Sequence, residues 1–181
     1  MITELILVRH TRVAVAGVCY GRMDVPLAES FSVEASLVQA QLTAVGEAVY
    51  YTSPALRCLQ LAQHFTPNYQ IDERLTEMDF GTWEGQTWDA IGEPAVSAWA
   101  TDFVNLQPPQ GESYEQMAQR VGVFLQAMSQ HERVVVITHA GVIRAAHALL
   151  NGIALADSFM FQPECGGVYR YEVGVEQLKC I

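Results

Sequence analysis

An α/β fold of the three-layer αβα type, with a mostly parallel central sheet and helices on both faces, follows from three observations in the 181-residue sequence. Two short apolar runs, Leu5-Ile6-Leu7-Val8 and Val134-Val135-Val136-Ile137, each stop at polar residues that include a histidine: Arg9-His10 and Thr138-His139. Continuous apolar runs of this length mark strands buried on both faces, as parallel strands between two helical layers are. A third run, Ala48-Val49-Tyr50-Tyr51, ends at Thr52-Ser53-Pro54 and precedes a helical pattern. Strand, polar turn and helix in succession form the repeating unit of an α/β protein.

The remaining elements follow in order. Ser30 to Leu42 reads as a helix with Leu37, Val38 and Leu42 as its apolar stripe. Ser53 is a suitable N-cap and Pro54 a suitable first helical residue for a helix from Ala55 to Phe65. Residues 83–107, which hold all three tryptophans, read as a helical or irregular insertion within a single domain spanning residues 1–181. After the loop Gln107-Pro108-Pro109-Gln110-Gly111, the spacing of Tyr114, Met117, Ala118, Val121, Leu125 and Met128 predicts an amphipathic helix. Val142 to Leu150 predicts another. Alternation around Val168, Tyr169, Tyr171 and Val173 predicts one or two terminal strands, one of them at a sheet edge. The oligomeric state is open.

Twenty acidic against ten basic side chains leave a net charge of -10. A surface this acidic repels phosphate backbones and anionic membranes, which argues against nucleic-acid and membrane partners. No apolar run reaches the roughly 18 residues of a membrane span, and Met1-Ile2-Thr3-Glu4 lacks the basic start of a signal peptide. The four cysteines, Cys19, Cys58, Cys165 and Cys180, show neither a disulfide framework nor zinc-ligand spacing, so reduced thiols in the cytoplasm are expected. Nine of the ten basic residues are arginine, the side chain of fixed charge and forked oxyanion recognition.

In open α/β sheets ligands collect beyond the carboxyl ends of the strands. Arg9, His10, Ser53, Arg57, His139 and Gly141 all fall at or just past such ends, and a carboxylate, Glu77, lies in a stretch where acids alternate with apolar residues and glycine. Taken singly, each has an ordinary structural explanation: a capping histidine, a surface ion pair, a solvent-facing acid such as Asp79 or Glu84. Together they supply what phosphoryl transfer requires. Arginines hold the non-bridging oxygens, a neutral imidazole attacks in line, and a protonated carboxyl supplies the leaving oxygen with a proton. Neighbouring arginines favour the neutral imidazole, because like charge disfavours protonation. No acidic ligand cluster or H-E-x-x-H points to a metal, and no cofactor is expected.

Leu7-Val8-Arg9-His10-Thr11 resembles the R-H-G/T signature of the histidine phosphatases, the superfamily that includes the cofactor-dependent phosphoglycerate mutases. The resemblance continues through Ser53-Pro54-x-x-Arg57, through Glu77 with Phe80-Gly81-x-Trp83-Glu84-Gly85, and through Thr138-His139-Ala140-Gly141-Val142-Ile143-Arg144. It implies a phosphoglycerate mutase-like fold and a phosphomonoesterase acting on a small-molecule phosphate ester. It also implies His10 as the nucleophile that becomes phosphohistidine, Arg9, Arg57 and His139 as the phosphate pocket, and Glu77 as the proton donor. Thr11, Arg22, Ser53 and Ala140, which stand in the matching motifs, are further expected substrate contacts. Within the superfamily, Arg9-His10-Thr11, the run from Gly17 to Leu27 and Glu77-Met78-Asp79-Phe80-Gly81 are similar to the α-ribazole phosphatase branch, which removes the 5′-phosphate of α-ribazole 5′-phosphate in cobalamin biosynthesis.

A phosphoglycerate mutase-like enzyme or a broad-specificity sugar phosphatase would use the same core residues. A mutase holding an anionic glycerate calls for extra cations near its entrance, and residues 83–107 carry none. The tryptophans there suit an apolar wall for a nucleoside-like leaving group, or ordinary core packing. A non-catalytic or phosphohistidine-protein-directed regulatory module is the alternative from another class. Arg22 and Arg144 either touch substrate, pair with nearby acids or shape the pocket.

Overall fold

The computed structural model describes residues 2–179 and 181 of the chain. Cys180, one of the four cysteines, lies outside them. Five strands form one sheet in the order β3-β2-β4-β1-β5: β1 is Ile2–Arg9, β2 Val49–Thr52, β3 Gln70–Ile71, β4 Arg133–Thr138 and β5 Val168–Gly174. β1 pairs with β4, β4 with β2 and β2 with β3 in parallel, whereas β5 runs antiparallel along β1.

The apolar runs alternate between two cores, as side chains on successive strand residues must. Leu5, Leu7, Val134 and Val136 join a core built with α5 (Tyr114–Ala127), α6 (Ala140–Asn151) and Leu178 of α7 (Val175–Lys179). Ile6, Val8, Val135 and Ile137 join the opposite one, with α1 (Phe31–Leu42) and α2 (Leu56–Phe65). All eight side chains are buried, each contributing about 1.5–3 kcal/mol to holding the layers together.

Two helix predictions need correction. On α1, Leu37 is 62% exposed and Ala35 takes its place beside Val38 and Leu42 in the core. α2 begins at Leu56, not Ala55, and Ser53 does not cap it. Instead Asp24, remote in sequence, accepts the Leu56 N–H through Oδ1 at 2.9 Å. The terminal segment forms a single strand, and residues that could have paired as a second one form α7.

α5 has a signal of its own. Ser113 Oγ accepts the Gln116 N–H and the Gln116 side chain accepts the Ser113 N–H, a capping box that fixes where the helix starts. Between the strand-helix units, residues 83–107 include two short helices, α3 (Trp88–Ile91) and α4 (Glu93–Ala100). Among the described residues no helix is long and apolar enough to cross a membrane.

Candidate active site

Strand register assembles half of the site. Arg9 lies opposite Thr138 across the β1–β4 ladder, and Thr52 lies opposite Ile137 across β2–β4. Pairing extends one step further: the His10 N–H donates to the Thr138 carbonyl at 3.0 Å and the Ser53 N–H to the Ile137 carbonyl at 2.9 Å. His10, His139 and Ser53 are therefore set side by side, exposed by only 2%, 0% and 0%. The two imidazoles meet edge to face with centroids 5.2 Å apart.

His10 Nδ1 lies 2.7 Å from the Thr11 carbonyl oxygen, which can only accept, so Nδ1 carries the proton and Nε2 keeps a lone pair. Burial pushes the His10 pKa down to about 3; Arg57 and Arg9 push the same way, against the Thr11 hydrogen bond. Both effects disfavour imidazolium, with desolvation the larger. His139 is likewise held well below the ordinary histidine range, by burial first and then by Arg57 and His10. Its Nε2 shares a hydrogen bond with Ser53 Oγ at 2.8 Å, and Cys58 Sγ lies 3.6 Å from the same nitrogen.

Two arginines beside the histidines bring positive charge that no carboxylate among the described residues pairs with. Arg57, in the first turn of α2 and wholly buried, donates from Nη1 to the Met23 carbonyl at 2.9 Å and from Nη2 to the Gly21 carbonyl at 2.6 Å, with Tyr20 stacked on its guanidinium. Arg9 donates from Nη1 to the Pro163 carbonyl at 2.7 Å. Among the described residues, ion pairs engage Arg12, Arg22, Arg74, Arg120, Arg133 and Arg170, and leave Arg9, Arg57 and Arg144 without an acid. Three buried side-chain polar atoms lack a hydrogen-bond partner among those residues: Arg9 Nε, Arg57 Nε and Thr11 Oγ1. Unsatisfied buried donors are rare in folded proteins, and here they belong to residues of the two arginine motifs. An oxyanion would satisfy them.

Loops supply the acid. Glu77 Oε1 accepts the Met78 N–H at 2.9 Å and Oε2 accepts the Gly141 N–H at 3.2 Å, at the start of α6. Residue 141 must be glycine for this approach, since a Cβ there would run into Glu77 Oε1. Arg120 of α5 anchors the same loop, donating to the carbonyls of Arg74, Thr76 and Glu77 at 2.7, 2.8 and 3.2 Å and gripping Glu112 with two bonds. A cleft of about 270 Å³ opens over Arg57 and Glu77; Arg22, Asp24, Glu73 and Thr76 also line it.

The structure thus gathers Arg9, His10, Thr11, Ser53, Arg57 and His139, with Ala140 as the first residue of α6, and sets Glu77 against Gly141. Arg22 borders the cleft, but its guanidinium is shared between Glu112 at 3.2 Å and Asp79 at 3.4 Å. The expectation that Asp79 and Glu84 are spare solvent-facing acids is overturned. Asp79 pairs with Arg22 and accepts the Gly81 N–H, and Glu84 accepts three backbone N–H groups. The tryptophans pack with other aromatics: Trp83 on Trp99, and Trp88 and Trp99 on Phe80. None of them lines the cleft. Arg144 donates to the Phe161 carbonyl and Gln162 Oε1, bracing the loop that presents Pro163 to Arg9. Arg120 and Glu112 escaped the sequence reading, because nothing local marks a residue 43 positions from the loop it anchors. Tyr20 stands in the run from Gly17 to Leu27, yet only its position over Arg57 marks it out.

Residues 5–180 match the histidine phosphatase superfamily, branch 1. An adenosylcobalamin/α-ribazole phosphatase of Salmonella typhimurium is 30% identical, over 90% of this chain and 87% of its own. Phosphoserine phosphatase 1 of Hydrogenobacter thermophilus is 27% identical over 87% and 81% respectively. The crystal structure of the α-ribazole phosphatase from Shigella flexneri superposes with a TM-score of 0.86 at 24% identity, covering 94% of each chain. The chain belongs to the histidine phosphatase superfamily, and it is a phosphomonoesterase.

Proposed function

We propose that this phosphatase hydrolyses α-ribazole 5′-phosphate through a phosphohistidine on His10. The observation that carries the substrate is the charge of the cleft. Of its lining residues, Arg57 is committed to the phosphate and Arg22 is already paired with Glu112 and Asp79, while Asp24 and Glu73 are exposed. A leaving group that carries a carboxylate meets no free cation among these lining residues and two further acids, Glu73 and the helix-capping Asp24. A neutral, nucleoside-like leaving group meets no such repulsion. The similarity to the Salmonella protein named for α-ribazole supports the same reading. The free thiols Cys19, Cys58 and Cys165 support a cytoplasmic setting.

The residues divide the chemistry as follows. Thr11 holds His10 with Nδ1 protonated, so the Nε2 lone pair attacks phosphorus. Arg9 Nε, Arg57 Nε and Thr11 Oγ1 hold the non-bridging oxygens, and His139, fixed by Ser53, completes the pocket beside the nucleophile. As the phosphorus–oxygen bond of the ester breaks, Glu77 passes its proton to the leaving oxygen and becomes a carboxylate. That carboxylate then takes a proton from water, whose oxygen attacks phosphorus. The phosphorus–nitrogen bond breaks, its electron pair returns to Nε2, and inorganic phosphate departs.

The test is kcat/KM for α-ribazole 5′-phosphate, phosphoserine, 3-phosphoglycerate and p-nitrophenyl phosphate under identical conditions. α-Ribazole 5′-phosphate is expected to exceed both carboxylate-bearing substrates by ~100-fold, the scale set by an unmatched polar group in a binding site. Phosphoserine turned over as well or better would overturn the assignment, and so would conversion of 3-phosphoglycerate to its isomer.

A further inference from the structure

The three hydrogen bonds made by Glu84 lead to a connection between the two sides of the site. We propose that Glu84 is a positioning residue that sets the Arg57 guanidinium and the Glu77 loop at once. The inference rests on the reading of Arg57 as the phosphate arginine and Glu77 as the proton donor.

Glu84 Oε1 accepts the N–H groups of Arg22 at 2.9 Å and Phe80 at 3.1 Å, and Oε2 accepts the N–H of Met23 at 2.8 Å. Arg22 and Met23 form the turn whose flanking carbonyls, Gly21 O and Met23 O, receive the two terminal nitrogens of Arg57. With Nη1 and Nη2 held in this way, Nε is the buried donor left without a partner among the described residues. Phe80 lies three residues beyond Glu77, on the loop that carries the acid. One carboxylate therefore ties the turn that aims the phosphate clamp to the loop that aims the proton donor.

The backbone is shaped around this contact. Gly21 has φ +36°, and a Cβ at that position would collide with both Glu84 Oε1 and the Met78 carbonyl. The turn therefore approaches Glu84 more closely than any side-chain-bearing residue permits. The chemistry also demands a carboxylate. Three N–H donors converge on two oxygens, and a carboxylate is acceptor-only. In Glu84→Gln the new amide would point N–H at N–H on one side, leaving at least one backbone donor unpaired and releasing either the Arg22–Met23 turn or Phe80.

Glu84→Gln is compared with Glu4→Gln, which loses another carboxylate, one that accepts from Arg133 and Arg170 at the opposite end of β1 from the site. Folding is read by thermal melting, the phosphate pocket by the inhibition constant of orthovanadate, and proton donation by the ratio of kcat/KM for p-nitrophenyl phosphate to that for an alkyl phosphate. The aryl ester has a good leaving group and needs little protonation, whereas the alkyl ester depends on it. Glu84→Gln is expected to weaken vanadate inhibition ~10-fold and to depress the alkyl ester ~10-fold more than the aryl ester, the scale of a displacement well under 1 Å, with Glu4→Gln at parent values. If Glu84→Gln does not fold, Glu84→Asp keeps the charge on a shorter reach and is expected to move both readouts in the same direction. Folded Glu84 variants with parent values for both readouts would overturn the inference. Arg57→Ala is the companion: normal vanadate inhibition there would overturn the phosphate reading and this inference together. A weakened Arg57→Ala beside silent Glu84 variants would overturn the inference alone.

Discussion

The two halves of the site are built by different physics. Arg9, His10, Ser53 and His139 stand at strand ends, where backbone ladders continued one residue past the sheet fix their places. Glu77 and the turn that anchors Arg57 lie in loops, where side chains from remote elements do the fixing: Arg120 grips three carbonyls, and Glu84 and Glu112 collect backbone N–H groups. A strand end inherits its precision from a regular lattice that many residues share. A loop must be pinned by individual charge-assisted bonds, each removable by one substitution. The strand-end half should therefore tolerate changes around it and fail only at its reacting groups, while the loop half should fail at residues that never touch substrate.

The largest effect is expected at the strand end itself. His10→Ala should lower kcat for p-nitrophenyl phosphate by ~10⁶-fold, the scale of deleting a covalent nucleophile, with a melting profile close to the parent. Stopped-flow turnover and trapping of acid-labile protein-bound phosphate both measure it. Retained activity would end the covalent mechanism.

A smaller effect is expected where the halves meet. Gly141→Ala in an exposed helix would stabilise by about 1 kcal/mol, from propensity alone. Here the added methyl collides with Glu77 Oε1, so the acid must shift. kcat/KM for an alkyl ester is expected to drop ~100-fold, with the aryl ester less affected, because misplacement by about 1 Å has that cost. Equal loss for both esters would place the damage in the phosphate pocket instead.

The gentlest probe is pH. In the unfolded chain His10 binds its proton near the ordinary value of 6.5, whereas in the folded protein it resists protonation down to about 3. The unfolded state therefore holds more protons as pH falls below 6.5, and stability that is full above that value declines by up to ~1.4 kcal/mol per pH unit for each such histidine. His139 adds to the slope in the same direction. In the loop half, Arg120 holds the Glu112 pKa below 4.5 in spite of burial, so the stability that pair contributes is present above 4.5 and lost only as pH falls through the lower folded value. Between pH 6.5 and 4.5 the slope thus reports the strand-end half. His10→Gln should flatten urea-unfolding free energies over that window; an unchanged slope would show that the buried imidazole does not resist protonation.

Legibility followed the same division. The buried strands and the helices α5 and α6 could be read because apolar runs and three-to-four-residue spacing express burial directly. The residues at strand ends could be read because a polar pair after an apolar run has few places to go. Ser53 shows where such reading stops. Its local context suited a helix cap, but the neighbouring strand brought His139 to its hydroxyl, and Asp24 supplied the cap instead. Leu37 on α1 and the tryptophans show the same limit: hydrophobicity signals burial in general without saying which partner provides it.

What the amino-acid order indicated by itself was the layered α/β architecture, the candidates for the reacting residues and the abundance of arginine. Those are local properties of residue type and spacing. The tertiary structure decided which charges remain free. Nine arginines look alike in sequence, but among the described residues six find carboxylates, and Arg9, Arg57 and Arg144 do not. That distinction arises only when β1, α2 and α6 are brought together by the sheet, because whether a cation is neutralised depends on distances of a few ångströms between segments far apart in the chain.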